Sequence, residues 1–228
     1  MQMTSNFDLQ GSETEFKRAI ALDYYNADAH RNFAIFLNEI GRVDEGLREC
    51  RIAQQLSPGN VAWLPYSLFY CRDYDAAIAT AQMMLLKDPD DGFLHLCLYS
   101  AYMKKGMCTE SLESKEKAVK LWGMAKVLPR VQESNATSGP LGAIRQLANE
   151  FEGLQTTKQA FVPGNLAKLY TILGDKDRAF FWLDQGFEQR EMASQDGGVF
   201  PLKGNPIYDP LRSDPRYKDL IRRMSLPA

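Results

Sequence analysis

Two histidines, four cysteines and a few paired carboxylates are the groups in this chain that could carry chemistry. His30 and His95 could hold a metal or move a proton, because imidazole does both near neutral pH. Both, however, stand at the same place in a recurring apolar pattern, which assigns them to packing between helices. Cys50, Cys71, Cys97 and Cys108 form no C-x-x-C pair. They read as small buried hydrophobes in a reducing compartment, not as a zinc or dithiol site. Glu13/Glu15, Asp90/Asp91 and Glu150/Glu152 fall in turns or on outer faces, where carboxylates are simply solvated. Neither a phosphate-cradling G-x-x-x-x-G-K-[ST] run nor a G-x-S-x-G elbow is present. Gly197 and Gly198 are a loop signal alone. The sequence therefore names no catalytic residue, no metal ligand and no cofactor, and points to a non-enzyme.

The elements that would position these groups repeat. His30, Phe33, Ala34 and Leu37 set a spacing that His95, Leu98, Tyr99 and Tyr102 copy, and Pro163, Leu166, Ala167 and Tyr170 copy again. After each set comes a glycine (Gly41, Gly106, Gly174), then a small residue (Gly46, Ser111, Ala179) in a second apolar stripe. Each unit reads as two short amphipathic helices joined at the glycine. The most regular one runs from Asn26 to Pro58. Its first helix spans Ala27 to Ile40, with Asp28 near the positive helix start, and Asp44 is expected to cap the second.

The other units depart in ways the residues explain. Residues 1–11 are uncommitted, and Ser12 to Asp23 matches only a second helix, leaving Phe16, Ala19 and Ile20 without a partner before them. That half-unit suggests a piece cut from a longer protein, and predicts pairing of copies through this stripe. Pro58 and Pro89 are equivalent, yet the unit between them is short; Val61 to Cys71 must supply a shortened helix, with Pro65 in its first turn. Gly92 to Leu121 returns to pattern. After Trp122 the pattern weakens: Met124 to Glu133 reads as a helix, Ser134 to Pro140 as a turn-rich break, and Leu141 to Leu154 as another helix. A final unit spans Ala160 to Arg190. The loop 195–198 follows, then Asp209-Pro and Asp214-Pro, each read as a capping carboxylate before a first-turn proline. The last helix carries Tyr217, Leu220, Ile221 and Met224 on one side, as a solvating cap.

Recurrence at about 34 residues resembles the tetratricopeptide repeat (TPR), whose stacked hairpins bury their apolar faces on adjacent hairpins. The resemblance covers residues 12–190. It divides the chain into a half-repeat plus three units (12–123), a degenerate and a final unit (124–190), and a loop with a cap (191–228). Phe16 to Asp23, Leu173 to Phe180 and Asp209 to Tyr217 further resemble TPR arrays that follow winged-helix regulators, serine/threonine kinases or nucleotide cyclases in bacteria. The resemblance implies an all-α, right-handed α-solenoid of stacked helical hairpins with a C-terminal capping helix. It departs from the pattern in the short third unit, the degenerate fifth, and histidines where the consensus has Trp.

A TPR superhelix lines its concave face with first helices, so the resemblance places ligand contacts on their non-core positions. These are Arg31, Asn32, Ile35 and Asn38, near Asp28, then Tyr66, Phe69 and Tyr70, then Phe93, Leu96, Ser100 and Met103. The aromatic and aliphatic cluster could grip apolar side chains, and Arg31 and Asn32 could orient a carboxylate or a peptide backbone. The alternative reading of those aromatics is packing between shortened helices. Too few Lys, Asn and Arg stand on successive first helices for the carboxylate clamp of chaperone-binding TPRs.

Composition sets the outer limits. A net charge of −2 and a pI near 5.8 lack the basic excess of a nucleic-acid surface. The interleaving of Arg212, Arg216, Lys218, Arg222 and Arg223 with Asp209, Asp214 and Asp219 reads as helix-end complementation. No unbroken apolar run is long enough to span a bilayer. The expected function is a scaffold binding a protein, a peptide or its own upstream module, in the cytoplasm, or in the periplasm if the parent carries a membrane span. The runner-up is a regulatory region sensing a small molecule in the concave pocket, which the short third unit could form.

Overall fold

The computed structural model describes residues 9–58, 63–154, 163–188, 200–224 and 226. Among these residues all regular structure is helical. The elements are α1 (Leu9–Leu22), α2 (Ala27–Glu39), α3 (Val43–Leu56), α4 (Leu64–Tyr70), α5 (Tyr74–Leu85) and α6 (Gly92–Lys104). After them come α7 (Cys108–Leu121), α8 (Leu128–Leu154), α9 (Pro163–Ile172), α10 (Lys176–Glu188) and α11 (Pro215–Arg223). Short 3₁₀ turns at Ala125–Val127, Phe200–Leu202 and Pro206–Leu211 complete the order. None of the described helices is long and apolar enough to cross a membrane.

Packing between chain neighbours dominates: α2 on α3, α4 on α5, α6 on α7 and α9 on α10, with each pair meeting the next. The hairpin turn follows from one residue. Gly41, Gly106 and Gly174 all take positive φ, of 88°, 73° and 76°. That left-handed step lets the next amide reach back into the helix: Arg42 N–H donates to Leu37 (2.8 Å), Met107 to Tyr102 (2.9 Å) and Asp175 to Tyr170 (3.0 Å). The short third unit makes the same bond, from Asp73 to Leu68, through Arg72 at φ 66°. A side chain costs roughly 1–2 kcal/mol in that conformation. Small residues then allow the hairpin arms to close. A Cβ on Gly46 would lie 2.3 Å from Asn38 Oδ1, and Ser111 and Ala179 are fully buried at equivalent crossings.

Caps and breaks differ in places from the sequence expectation. Asn26 caps α2 by accepting from the Ala29 amide, and Asp28 sits in the first turn as expected. Asp44 does not cap α3; it lies inside the first turn, beyond Arg42, which makes no side-chain cap. Pro65 does occupy the first turn of the seven-residue α4, where its missing N–H costs nothing. Val61 and Ala62, Ala160 to Val162, Gln189 and Arg190, and the loop 195–198 lie outside the described residues. The expected break over Ser134 to Pro140 is narrower than read. Residues up to Ser138 stay helical, and the chain kinks only at Gly139 (φ 69°, ψ −174°), just before Pro140. A proline removes one helical N–H and clashes with the preceding turn, so a single glycine suffices to absorb the kink. Asp214 caps α11 as expected, but Asp209 is not a cap; Asn205 caps that 3₁₀ turn, accepting from the Ile207 amide (2.9 Å).

The C-terminal part is more than a lid on the last hairpin. α11 does pack on α10, with Arg223 donating to Asp184 (2.6 Å) and Arg216 to Asp177 (2.8 Å). The segment before it, however, returns across earlier helices and touches α2, α6 and α9. Leu202, Tyr208 and Leu211 are fully buried there, and they join the single large apolar core.

Candidate functional site

Helices α4, α6 and α9 are enclosed by other parts of the chain. Their sequences are apolar nearly all round, and a helix without a polar face must be enclosed. All seven residues of α4 are buried, as are nine of α6; α2, α3, α5 and α6 enclose α4, and the returning segment adds cover to α2, α6 and α9. It fits closely. Gly204 lies so near α2 that a Cβ would stand 1.8 Å from the Asn38 carbonyl oxygen, and 3.0 Å from Tyr70 Cδ1. Polar contacts pin both ends. Lys104 Nζ donates to the Pro206 carbonyl (3.1 Å), and the Tyr208 hydroxyl donates to the Gly164 carbonyl (3.3 Å). Arg72, the residue in the left-handed turn, donates to Asp209 at 3.0 Å. Asp209 also accepts from Arg212 (2.7 Å), whose guanidinium bonds the Lys203 carbonyl.

The positions expected to meet a ligand divide accordingly. Asn38, Tyr66, Phe69, Tyr70 and Leu96 are buried within the protein. Asn38 spends its amide on the Ser67 hydroxyl (2.9 Å), and Tyr66 donates to the Phe93 carbonyl (3.1 Å). Phe69 stacks edge-on with Tyr70 and tilts against Tyr74, which is the packing role weighed for these aromatics. Arg31 is half-buried and paired to Asp28 on its own helix (2.7 Å). Ile35, Ser100 and Met103 are half-buried, Asn32 is exposed, and Phe93 is exposed at its edge against Trp122. Sequence reasoning missed Leu202, Ile207, Tyr208 and Leu211 as the inner-face residues. The available signal was the lack of any polar face on α4 and α6.

Open surface lies on the other side of α6. A groove runs between α5 and α7, with His95, Leu98 and Tyr102 as its floor. Leu85 and Leu86 form one wall, and Ser114, Lys117 and Leu121 the other. Leu86 is 84% exposed, and Leu121 on the facing wall is exposed as well. Leu98 and Tyr102 of the floor join Ala81 and Leu94 in a small core of their own. Asp91 fixes the start of α6 by accepting from the Phe93 and Leu94 amides.

Burial pushes the Cys97 thiol well up and the Cys71 thiol to about 11, so neither is a ready thiolate. Glu39, half-buried at the end of α2, is the one carboxyl strongly displaced upward among the described residues. Burial lifts it to about 8, while the charge of Lys168 on α9 pulls the other way. Phe16 on α1 stacks with Phe33 and tilts against Phe36 of α2, so part of the N-terminal stripe is already used; Ala19, Leu22 and Tyr25 are exposed. Neither a scan against protein-family models nor a search of curated proteins finds a match to this sequence.

Proposed function

We propose that this chain is a non-catalytic TPR-type solenoid that binds another protein or peptide, as the interaction region of a larger bacterial protein. Its partner could equally be that protein's own upstream module. The observation that carries the reading is the α5–α7 groove, where leucines stand exposed beside a structured apolar floor. Exposed apolar side chains grouped along a groove between helices suit an amphipathic helix, which lays one apolar stripe into such a cleft. The inner face, where the resemblance would put the ligand, is taken by residues 200–211, so binding moves to the outer groove. A small molecule sensed in the concave pocket would meet the same obstruction, and no observation favours it. Exposed Leu22 and Tyr25 keep pairing of two copies through α1 within the proposal.

The test is titration of the full chain with a labelled amphipathic leucine-rich helical peptide. Binding is expected, and Leu86→Glu should weaken it by about tenfold or more, since a central apolar contact typically carries over 1 kcal/mol. Absence of binding, or binding indifferent to Leu86→Glu, would count against the groove.

A further inference from the structure

Helix α5 differs from the other second helices of the hairpins. α3 carries five charged residues, α7 six and α10 five, while α5 carries Asp75 alone. Helical spacing sets its outward side: Asp75, Ala79, Met83 and Leu86 follow at intervals of four, four and three, and all are exposed. Met83 is 59% exposed. A helix turned to water normally presents a polar face, and apolar side chains grouped on a surface mark a contact site.

Lys105, just past the end of α6, pairs with Asp75 at the start of α5, and Gly92 at the start of α6 lies against Trp122 just past the end of α7. α5 and α7 therefore run in the same direction on either side of α6. Their exposed charges are sorted along that direction. Asp75, Glu110 and Glu113 stand toward the helix starts, and Lys87, Lys117 and Lys120 toward the ends. A surface acidic at one end and basic at the other complements itself once turned end for end, the condition a two-fold interface must meet. Resting on the protein-binding reading above, we propose that the partner of this face is a second copy of the chain, related by a two-fold axis lying across α5 near Ala81. Small side chains then meet large ones: Ala79 packs on Met83 of the second copy, and Ala76 on its Leu86. The Asp75 side chain is 83% exposed even while it pairs with Lys105, which leaves room to accept from Lys87 of the second copy. Glu110 and Glu113 come over its Lys120 and Lys117. Asp88 and Asp90, the exposed acids at the basic end, meet the end that carries Lys105. The charges fix orientation and the apolar stripe supplies the contact.

The twelve residues of α5 span about 18 Å, a contact at the small end of specific interfaces, so the dimer should be reversible and half-formed at roughly 10–100 μM. Sedimentation equilibrium of the full chain across the micromolar to millimolar range tests it, with thermal melts to show that each variant folds. Met83→Glu should weaken the dimer about tenfold or more, because it sets a carboxylate in the apolar contact. Asp75→Lys should weaken it as well, and adding Lys87→Asp to the same chain should restore it, since both ends of the contact are then reversed together. The labelled leucine-rich peptide, titrated into the Met83→Glu variant, reports on the groove separately, because Met83 does not line it. A monomer throughout the range that still binds the peptide would overturn the second copy and leave the protein-binding reading standing. A monomer that binds no peptide would overturn both. Dimerisation indifferent to Met83→Glu but lost in Leu22→Glu would place the pairing on α1 and overturn the proposal. Loss in Asp75→Lys without recovery in the double variant would overturn the end-for-end arrangement.

Discussion

Single residues in this protein carry more of its behaviour than their surface position suggests, and Glu39 is the clearest instance. Its carboxyl ionises at about 8 in the folded chain, against an ordinary value of 4.5, because burial penalises the charge more than Lys168 relieves it. An acid whose folded value is raised binds its proton more tightly when folded. It costs nothing below about pH 4.5 and progressively destabilises the fold as pH rises through 8. Glu39→Gln removes that loss. Urea unfolding at pH 9 should show the variant more stable by about 1–2 kcal/mol, allowing for screening at a half-buried site. At pH 4.5 the two proteins should be equal. The histidines teach the complementary lesson: in matched places of two hairpins, His30 Nδ1 meets the Glu49 carboxylate at 2.6 Å, whereas the matching position in the hairpin of His95 is Ser114.

At the scale of elements, the returning segment is what decides which faces are available. Gly204→Ala would drive a methyl group into the Asn38 carbonyl, a backbone atom that cannot swing aside. Such overpacking should cost about 2 kcal/mol or more, seen as a lowered urea midpoint, with Tyr208 and Leu211 losing their buried contacts. Helix placement was largely legible in the residues: spacing and turn glycines gave the hairpins α2–α3, α6–α7 and α9–α10, and Pro65 marked the short α4. Capping was read less well. Asp44 and Asp209 have the right chemistry, but the helix begins before Asp44, and Asp209 is committed to Arg72 and Arg212. The inner face was the hardest part, because a segment distant in sequence covers it. Local periodicity carries no record of such a contact. Only the apolar circumference of α4 and α6 hinted that something must lie on top.

Across the described residues as a whole, neighbour-on-neighbour packing and the return of residues 200–211 cover one side of α2, α6 and α9 and leave a groove open between α5 and α7. The faces of α2, α6 and α9 that meet residues 200–211 are committed to the protein's own chain. The central claim is thus that a partner helix engages α5–α7 while residues 200–211 stay in place. Hydrogen exchange of the full chain, with and without a saturating amphipathic helical peptide, tests it most directly. The account predicts added protection over Leu85, Leu86, Leu98, Tyr102 and Leu121, with exchange across 200–211 unchanged. Added protection on α2 and α4, accompanied by faster exchange of 200–211, would contradict it, because the peptide would then have displaced the chain's own segment from the inner face.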